Sequence, residues 1–521
     1  MIAIGIDYGT TTSWIAKMST GQYTPSLASL KSAVFITNSG DKIFCGEEAV
    51  VRNGTPGHYI NSPKRYIVNS EFNQFRRQYG SDIENVINES VRNLVNSLAG
   101  LNMDTNEKCH ITVSIPNCYN GSQMRYMHKV FNQALSHYID SFELYLLPEP
   151  IAAALHYVIS SPIIGDVETK YAVVCDIGGG TTDLAMIFIQ RTRKNSGKYD
   201  ITFSVVATEH DGNLGGNDID ENLLRNFIST SANTLADTNE SLRSIEMCKI
   251  ELSRENYTSC SVTLSDNSQH EKPISREDLE GVMSDVPIDS GVTFIEKLTD
   301  KMRRLKYNVA QGYRKQYGVE FNWGNVLLIP VGGSMRIPRL RDEFKNVFPQ
   351  GSMIDLNTES RETYDSVVYG AMYYSAIRGN MPSNIESVLI EGRTCHPISV
   401  EHLQNRLHPI VYANMPDGEY EVNTLRPVSV RDDGTFRIGE LKFYFSSNSE
   451  VGEDETPDYA IRINRDFCAN GRAAENIPIS IKIKITHSVI EKIVVRIQNC
   501  DPDNNDYEES FLYDEFNLNY E

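Results

Sequence analysis

The chain has 521 residues, 40% of them hydrophobic and 23% charged, with a formal net charge of −20 at pH 7. This length predicts roughly three domains or subdomains, and the acidic balance argues against a nucleic-acid partner, which requires a basic surface. The apolar runs are too short to span a membrane. The 9 cysteines include no Cys-x-x-Cys pair, which argues against a zinc or thiol-redox site and favours a reducing compartment. We therefore expect a cytoplasmic protein with no secretory leader.

One loop pattern occurs twice. Apolar residues 2–6 run into Asp7-Tyr8-Gly9-Thr10-Thr11-Thr12, and apolar residues 171–175 run into Asp176-Ile177-Gly178-Gly179-Gly180-Thr181-Thr182-Asp183. Glycines let backbone N–H groups close around an anion, threonines add hydroxyl donors, and aspartates can hold hydrated Mg²⁺. A Gly-rich hairpin with polar decoration is the alternative. The repetition favours two related lobes that face one nucleotide.

The residues between the two loops predict further elements. An apolar repeat predicts an amphipathic helix over 83–101, and strands are expected at 109–115 and 142–147. Pro150 suits the first turn of a helix, where its missing N–H costs nothing. Glu149 therefore lies at a strand-to-helix turn, where it can point into a cleft or act only as a helix N-terminal anion.

Beyond the second loop, residues 190–198 are expected to form a turn, and the Gly/Asn-rich segment 211–220 opens a helix. A helix over 240–253 places Glu246, Lys249 and Ser253 on one face. The apolar strand 325–331 feeds another glycine turn, Gly332-Gly333-Ser334-Met335-Arg336.

The C-terminal quarter changes character. Residues 385–391 are an aliphatic strip between acids, and residues 420–497 largely alternate apolar with polar side chains, which predicts an antiparallel β domain. Residues 501–521 hold eight acids and no Lys or Arg, so we expect a loosely ordered acidic tail.

These motifs, in this order, resemble the Hsp70 (DnaK) family of ATPase chaperones. The two Gly-Thr loops are shared with other proteins of actin-like fold, such as sugar kinases, MreB and FtsA, and the Glu149 segment is shared with MreB. Three segments are more specific: 63–67 is similar to the segment that carries the catalytic lysine, 331–338 to the adenosine loop, and 214–220 to the loop into the upper part of the second lobe.

The resemblance implies an α/β fold: a two-lobed, actin-like ATPase domain with duplicated ribonuclease-H-like lobes, followed by a small antiparallel β-sandwich. The implied divisions are a nucleotide-binding domain over 1–382, an interdomain linker over 383–392, a β-sandwich that binds substrate or partner over 393–500, and the acidic tail over 501–521.

It also implies a site for ATP or ADP with Mg²⁺. Asp7 and Asp176 would hold the metal through water, and Lys64 would stabilise the γ-phosphate and orient the attacking water. Glu149, Asp183 and Thr181 would complete the catalytic set. The remaining nucleotide contacts would come from Gly9, Thr10, Thr11, Thr12, Gly178, Gly179, Gly180, Gly215, Gly216, Glu246, Lys249, Ser253, Gly332, Gly333, Ser334 and Arg336.

Three features depart from the family pattern. Ile250 replaces an arginine that faces adenine, and Met124 replaces an arginine after Pro116, which bears on nucleotide affinity and on interdomain coupling. The C-terminal part also leaves no room for the helical lid with which Hsp70 slows peptide release.

The leading hypothesis is an ATP-dependent chaperone whose Mg-ATP cycle switches a C-terminal β domain. Its partner would be an unfolded or extended peptide or a dedicated protein, with a J-protein and a nucleotide-exchange factor as further candidates. We expect a monomer that binds neither nucleic acid nor membrane. The alternatives are a nucleotide-sensing scaffold with little turnover, an actin-like filament protein and a small-molecule kinase.

Overall fold

The computed structural model describes residues 1–21, 24–68, 72–101, 107–117, 119, 121–160, 167–228, 235, 238–289, 291–354, 366–381, 383–391, 398–401, 406–411, 418–427, 430–444, 457, 459–469, 476–486, 489–498, 500, 501, 503 and 505–512. The chain divides into two compact units, one formed mainly by residues 1–389 and the other mainly by residues 390–521.

Strands and helices are mixed throughout the first unit. Its strands are β1 (Ile2–Asp7), β2 (Thr12–Ser19), β3 (Ser26–Lys31), β4 (Val34–Thr37), β5 (Ile43–Cys45), β6 (Gly57–Ile60), β7 (Cys109–Ile115), β8 (Phe142–Pro148), β9 (Val167–Ile177), β10 (Thr182–Arg193), β11 (Tyr199–Asp211), β12 (Tyr257–Thr263), β13 (Gln269–Ser275), β14 (Pro287–Asp289), β15 (Val292–Thr293), β16 (Val326–Val331), β17 (Ser352–Met353) and β18 (Ile385–Glu391).

The helices also belong to this unit. They are α1 (Glu47–Val51), α2 (Lys64–Val68), α3 (Phe72–Tyr79), α4 (Ile83–Asn96), α5 (Gly121–Leu135), α6 (Glu149–Ser160), α7 (Gly216–Ile228), α8 (Thr238–Leu252), α9 (Arg276–Asp285), α10 (Phe294–Tyr317), α11 (Pro338–Val347) and α12 (Ser366–Arg378). Short 3₁₀ segments follow α4 and precede β16 and α11.

Two sheets of the first unit repeat one topology. In lobe I the strand order is β3-β2-β1-β7-β8, and in lobe II it is β18-β11-β10-β9-β16-β17. The central strand of each, β1 or β9, is antiparallel to the next strand in the chain and parallel to a later one, β7 or β16. Each Gly-Thr loop therefore leaves the carboxyl end of an equivalent central strand.

Each lobe has its own hydrophobic core. In lobe I, buried side chains of β1 and β7 pack with α4 and α5. In lobe II, β9 and β10 pack with α7, α10 and α11. Helices α6 and α12 approach closely, since a Cβ at Gly370 would lie 1.8 Å from the carbonyl oxygen of Ala152.

The second unit is built from strands alone among its described residues. They are β19 (Ile398–Glu401), β20 (Leu407–Val411), β21 (Gly418–Pro427), β22 (Thr435–Phe436), β23 (Gly439–Tyr444), β24 (Tyr459–Ile463), β25 (Phe467–Cys468), β26 (Asn476–Thr486), β27 (Val489–Ile497) and β28 (Tyr507–Leu512). Two four-stranded sheets have the orders β20-β19-β23-β24 and β21-β26-β27-β28, and both contribute to one hydrophobic core.

The alternation predicted for the C-terminal strands is confirmed. Ile479, Ile481, Ile483 and Ile485 of β26 are at most 2% exposed. On the opposite face of the strand, Lys482 forms an ion pair with Glu419 of β21. Period-two patterning therefore identified which face of this strand is buried.

Two expectations need correction, and the segment predicted as a linker contains a strand. The turn at 190–198 is shorter, because β10 continues to Arg193. The 383–392 segment contains a strand, β18, which pairs next to β11. The tail at 501–521 contains strand β28, antiparallel to β27, because Tyr507 and Phe511 pack against the core of the second unit despite the acids around them.

Several other expectations lie on residues outside those the structure describes, among them residue 392 of the linker and residues 513–521 of the tail. Among the described residues, no helix is long and apolar enough to cross a membrane. The cysteines that the structure describes are free thiols.

Candidate nucleotide-binding site

The two Gly-Thr loops meet. The N–H of Gly180 donates to Thr10 Oγ1 at 3.1 Å, so the loop after β9 touches the loop after β1. The approach is too close for a side chain at Gly179, where a Cβ would lie 1.8 Å from Thr11 Oγ1. Because these positions are glycines, the backbone of the loop after β9 can contact the loop after β1.

A cavity of about 600 Å³ opens beside these loops. It is lined by most of the residues that the sequence predicted for nucleotide binding and catalysis: Asp7, Gly9, Thr10, Thr11, Thr12, Lys64, Glu149, Asp176, Gly178, Gly179, Thr181, Glu246, Lys249, Ser253, Gly332, Gly333, Ser334 and Arg336. The volume lies in the range of small-molecule and cofactor sites.

Lys64 lines the cavity and is held by two contacts. It lies at the start of α2, is only 3% exposed, and forms an ion pair with Glu149 Oε1 at 3.0 Å. Its ammonium also donates to the backbone carbonyl of Tyr8. Burial opposes the charged form, but the carboxylates of Glu149 and Asp7 hold the pKa of Lys64 above its usual value. The lysine is therefore a fixed positive charge.

Carboxylates crowd the same region. Burial, together with Glu149, Asp183 and Asp7, raises the pKa of Asp176 well above its usual range. Burial and Glu149 raise the pKa of Asp183 to about 8. Four acids, Asp7, Glu149, Asp176 and Asp183, thus lie near one lysine, so the region attracts a further cation.

Unpartnered polar atoms support a ligand of that kind. Thr11 Oγ1, in a residue that lines the cavity, is buried and has no hydrogen-bond partner among the described residues, and the same holds for Asp183 Oδ1, although Asp183 does not line the cavity. Buried polar atoms are normally paired, and such exceptions are explained by a missing water, ion or ligand. Within the described part of the chain, no group of three or more His, Cys, Asp or Glu residues is arranged to hold a metal ion directly. The residues present therefore fit a hydrated Mg²⁺ held through water.

Another part of the lining comes from α8 and the glycine turn after β16. Glu246, Lys249 and Ile250 of α8 line the cavity, together with Ser253 just after the helix and Gly333, Ser334 and Arg336 of the turn. Gly332 has φ +84°, and a Cβ there would lie 2.4 Å from the carbonyl oxygen of Ile177, so the turn requires glycine. Ser334 Oγ donates to the carbonyl of Gly178 at 3.0 Å, which ties the turn to the second phosphate loop.

Two residues of α8 differ in how they can meet a ligand, because Lys249 is already bonded to protein groups and Ile250 is not polar. Lys249 Nζ donates to Asp220 Oδ2 at 2.6 Å and to the carbonyl of Gly216 at 3.0 Å. Ile250, which replaces the arginine of the family pattern, is 39% exposed and lines the cavity. It offers an apolar surface to a flat ring.

Four predicted residues do not line the cavity. Asp183 is 2% exposed on β10, opposite Asp176 of β9. The N–H of Gly180 is used by Thr10, that of Gly215 donates to Asp218, and that of Gly216 donates to the carbonyl of Gly178. The N–H groups of these three glycines therefore bond within the protein and stabilise the loops.

Ile250 lines the cavity at the adenine-facing position that the resemblance gave it, whereas the other lining residues were not predicted, namely Trp14, Leu27, Ala28, Ser29, Lys31, Arg254, Val331, Ile337 and Val367. Trp14 could have been found, since it is two residues beyond Thr12 on β2 and therefore points to the same face. Lys31 lies in no sequence motif that would have indicated a place in the lining of the cavity.

Two ion pairs join the lobes around the cavity. Arg65 of α2 binds Asp218 of α7 at 2.9 Å, and Lys31 of β3 binds Glu246 of α8 at 3.3 Å. A smaller cavity of about 330 Å³ lies next to them, lined among others by Tyr59, Arg65 and Glu246.

Comparison with known proteins agrees with this geometry. The family model described as Hsp70 protein matches residues 109–414. The chain is 24% identical over 447 residues to a chaperone protein dnaK of Guillardia theta, covering 77% of this chain and 63% of that protein. It is 26% identical over 254 residues to heat shock cognate 70 kDa protein 3 of Dictyostelium discoideum, covering 47% of this chain and 35% of that protein.

A third relative is a chaperone protein HscA homolog of Shewanella oneidensis, 26% identical over 219 residues, with 42% of this chain and 30% of that protein covered. The chain thus spans between about a third and about two thirds of the length of these relatives. The family model covers more than half of the chain and includes the second Gly-Thr loop, α8 and the Gly332 turn. The chain belongs to the Hsp70 family.

Proposed function

We propose that this protein is an ATP-dependent chaperone that binds Mg-ATP in the cavity between its lobes and hydrolyses it to ADP and phosphate. The observation that carries the proposal is the convergence of both Gly-Thr loops, Lys64 and the α8 face on one cavity of about 600 Å³. Actin-like lobes that enclose a nucleotide in this way are the arrangement that the family implies.

Different residues would bind the phosphates and the adenosine part of the nucleotide. Backbone N–H groups of the loops and the hydroxyls of Thr10, Thr11 and Thr181 would donate to phosphate oxygens. Lys64 would stabilise the γ-phosphate, where negative charge is greatest. Ser334, Arg336 and Ile250 would enclose the ribose and adenine.

Hydrolysis needs positioning and charge stabilisation rather than a covalent intermediate. Lys64 would orient the attacking water. Glu149, whose Oε1 lies 3.0 Å from the lysine ammonium, would accept a hydrogen bond from that water. The water oxygen forms the new bond to the γ-phosphorus while the bond to the bridging oxygen breaks.

Asp7 and Asp176 would hold Mg²⁺ through water, with Ser114 Oγ fixing Asp7 Oδ1 at 2.9 Å. When bound, the ion neutralises phosphate charge and lowers the repulsion among the buried carboxylates.

The hydrolysis is tested with Lys64→Ala. We expect single-turnover hydrolysis of Mg-ATP to fall at least a hundredfold, because a buried fixed charge beside the γ-phosphate is lost. Lys129→Ala on the exposed face of α5 is the matched control and should hydrolyse ATP normally. A Lys64→Ala protein with the normal rate contradicts the assigned role. A wild-type protein that binds ATP without hydrolysing it supports a nucleotide sensor instead.

We further propose that the C-terminal unit is a β-sandwich that binds an extended peptide or a protein partner. Its two sheets share one core and have edge strands at β20, β24, β21 and β28, where a peptide could add main-chain hydrogen bonds. The partner could equally be a dedicated protein, and J-proteins or exchange factors remain candidates.

The connection between nucleotide and partner would run through β18. Polar contacts join this strand and the residue before it to the rest of lobe II: Ser387 Oγ donates to Asp200 at 2.6 Å, Ser196 Oγ donates to Glu386 at 2.6 Å, and Tyr199 N–H donates to the carbonyl of Asn384 at 2.8 Å. Ile385 is 5% exposed whereas Leu389 is 53% exposed, so apolar burial is greatest at the start of the strand. We expect limited proteolysis at 385–391 to differ between ATP and ADP, and identical patterns would refute a nucleotide-controlled switch.

A further inference from the structure

We propose that Tyr8 is a positioning residue for Lys64, holding the ammonium at the γ-phosphate end of the cavity. The inference rests on the proposed function, because it concerns how the lysine of that site is oriented. Tyr8 directly follows Asp7 and begins the first phosphate loop, yet its side chain does not line the cavity. It points into the core of lobe I instead.

The Tyr8 side chain is fixed at its tip and its ring. It is 1% exposed, and its hydroxyl donates to Ser90 Oγ of α4 at 3.1 Å. Its ring packs edge-to-face on Phe131 of α5, with centroids 6.1 Å apart and an interplanar angle of 77°. The first residue of the phosphate loop is therefore anchored to two helices of lobe I.

Lys64 meets this anchored residue twice. The ammonium donates to the Tyr8 carbonyl, and its nitrogen lies 5.8 Å from the centroid of the Tyr8 ring. An aromatic face attracts a cation within about 6 Å, and the attraction is larger where the cation is desolvated, as it is here at 3% exposure.

Glu149 contributes the remaining contact. Its Oε1 lies 3.0 Å from the ammonium nitrogen. An ammonium has three N–H donors, so with Tyr8 and Glu149 each taking one, the third can be directed to a phosphate. The ring and the carbonyl of Tyr8 together limit the directions in which the lysine can swing.

A substitution at Tyr8 can therefore separate the placement of Lys64 from the direct contacts that other residues make with the nucleotide. Removing the aromatic ring alters the placement of Lys64 without removing any group that lines the cavity. The effect should therefore be felt where Lys64 acts, at the γ-phosphate, and not at the parts of the nucleotide that ATP and ADP share.

The test compares Tyr8→Leu and Tyr8→Met with Tyr8→Phe in the full chain. We expect both aliphatic variants to lower the single-turnover rate of ATP hydrolysis about tenfold. They should also raise the Kd of the imido analogue of ATP about threefold while leaving the Kd of ADP unchanged. Tyr8→Phe keeps the ring and should recover most of the rate, with a residual loss of about twofold because the bond to Ser90 is missing.

Phe75→Leu is the matched control, since Phe75 is fully buried in the same core and does not line the cavity. A purely structural role for Tyr8 would make Phe75→Leu and Tyr8→Leu alike, or would weaken ATP analogue and ADP equally; either result overturns the inference. Aliphatic variants with the wild-type rate and the wild-type ratio of the two Kd values overturn it as well. A wild-type protein that binds neither nucleotide would instead refute the proposed function, and this inference with it.

Discussion

Gly179→Ala is the sharpest test of the two-loop site. A Cβ at position 179 would lie 1.8 Å from Thr11 Oγ1 and 2.7 Å from Thr11 Cβ. Neither atom is the far end of a flexible side chain, because both belong to a short residue of the opposing loop. The added methyl group must therefore push the loops of the two lobes apart.

The magnitude follows from two contributions. Forcing an extra carbon into a packed site costs about 1–3 kcal/mol of stability. Separating the loops should also lose at least one hydrogen bond to a charged phosphate, worth about 1.5–3 kcal/mol. We therefore expect the Kd for Mg-ATP to rise about ten- to a hundredfold.

The assay is calorimetric titration of Mg-ATP into the full chain, with thermal unfolding measured on the same samples. Gly312→Ala is the matched control, because a Cβ at that position of α10 meets nothing within 4 Å. That variant should bind normally and gain up to about 1 kcal/mol of stability, since alanine is favoured over glycine within a helix.

A second substitution checks the cause. Thr11→Ala removes the oxygen at 1.8 Å, so adding it to Gly179→Ala should restore part of the lost stability, a non-additive result expected for touching residues. Normal nucleotide affinity in Gly179→Ala would refute the placement of these loops against a phosphate.

Three further predictions concern other parts of the chain. Burial lowers the pKa of His156 to about 4, so between pH 6.5 and 4 the unfolded chain binds a proton that the folded chain does not; urea unfolding should show about 2 kcal/mol less stability at pH 5 than at pH 7 from this residue. His156→Phe should remove that loss, and an unchanged loss in this variant contradicts the assignment. Arg65→Ala breaks the pair with Asp218 that joins the lobes and should speed release of labelled ADP several-fold in stopped flow, whereas Arg92→Ala, which breaks an exposed pair within α4, should not. A chain ending at Asp501 lacks β28 and its contacts with the core, so its C-terminal unit should unfold at least several degrees lower; an unchanged unfolding temperature would show that β28 adds nothing.

Features that depend only on residues close together in the chain could be predicted from the sequence. The glycine loops after β1 and β9 require particular residue types at fixed spacing, and β26 alternates so regularly that its buried face was identified. Helix α4 was found from its apolar repeat, although it ends at Asn96 and continues as a 3₁₀ segment to Leu101.

The rest depends on contacts between distant residues. Strand β28 was missed because acids surround Tyr507 and Phe511, and only pairing with β27 shows that these two rings reach a core. The pairing of Lys249 with Asp220 and the placement of Lys31 against Glu246 join residues 29 and 215 positions apart. No local pattern specifies such pairs.

The central claim is that the two lobes enclose one adenine nucleotide. Calorimetric titration of Mg-ATP and Mg-ADP into the wild-type chain of 521 residues tests it most directly. The account predicts saturable binding of one nucleotide per chain, weakened at least tenfold in Gly179→Ala and unaffected in Gly312→Ala. A wild-type chain that binds neither nucleotide would contradict it. So would equal Kd values for a given nucleotide in the wild type, Gly179→Ala and Gly312→Ala.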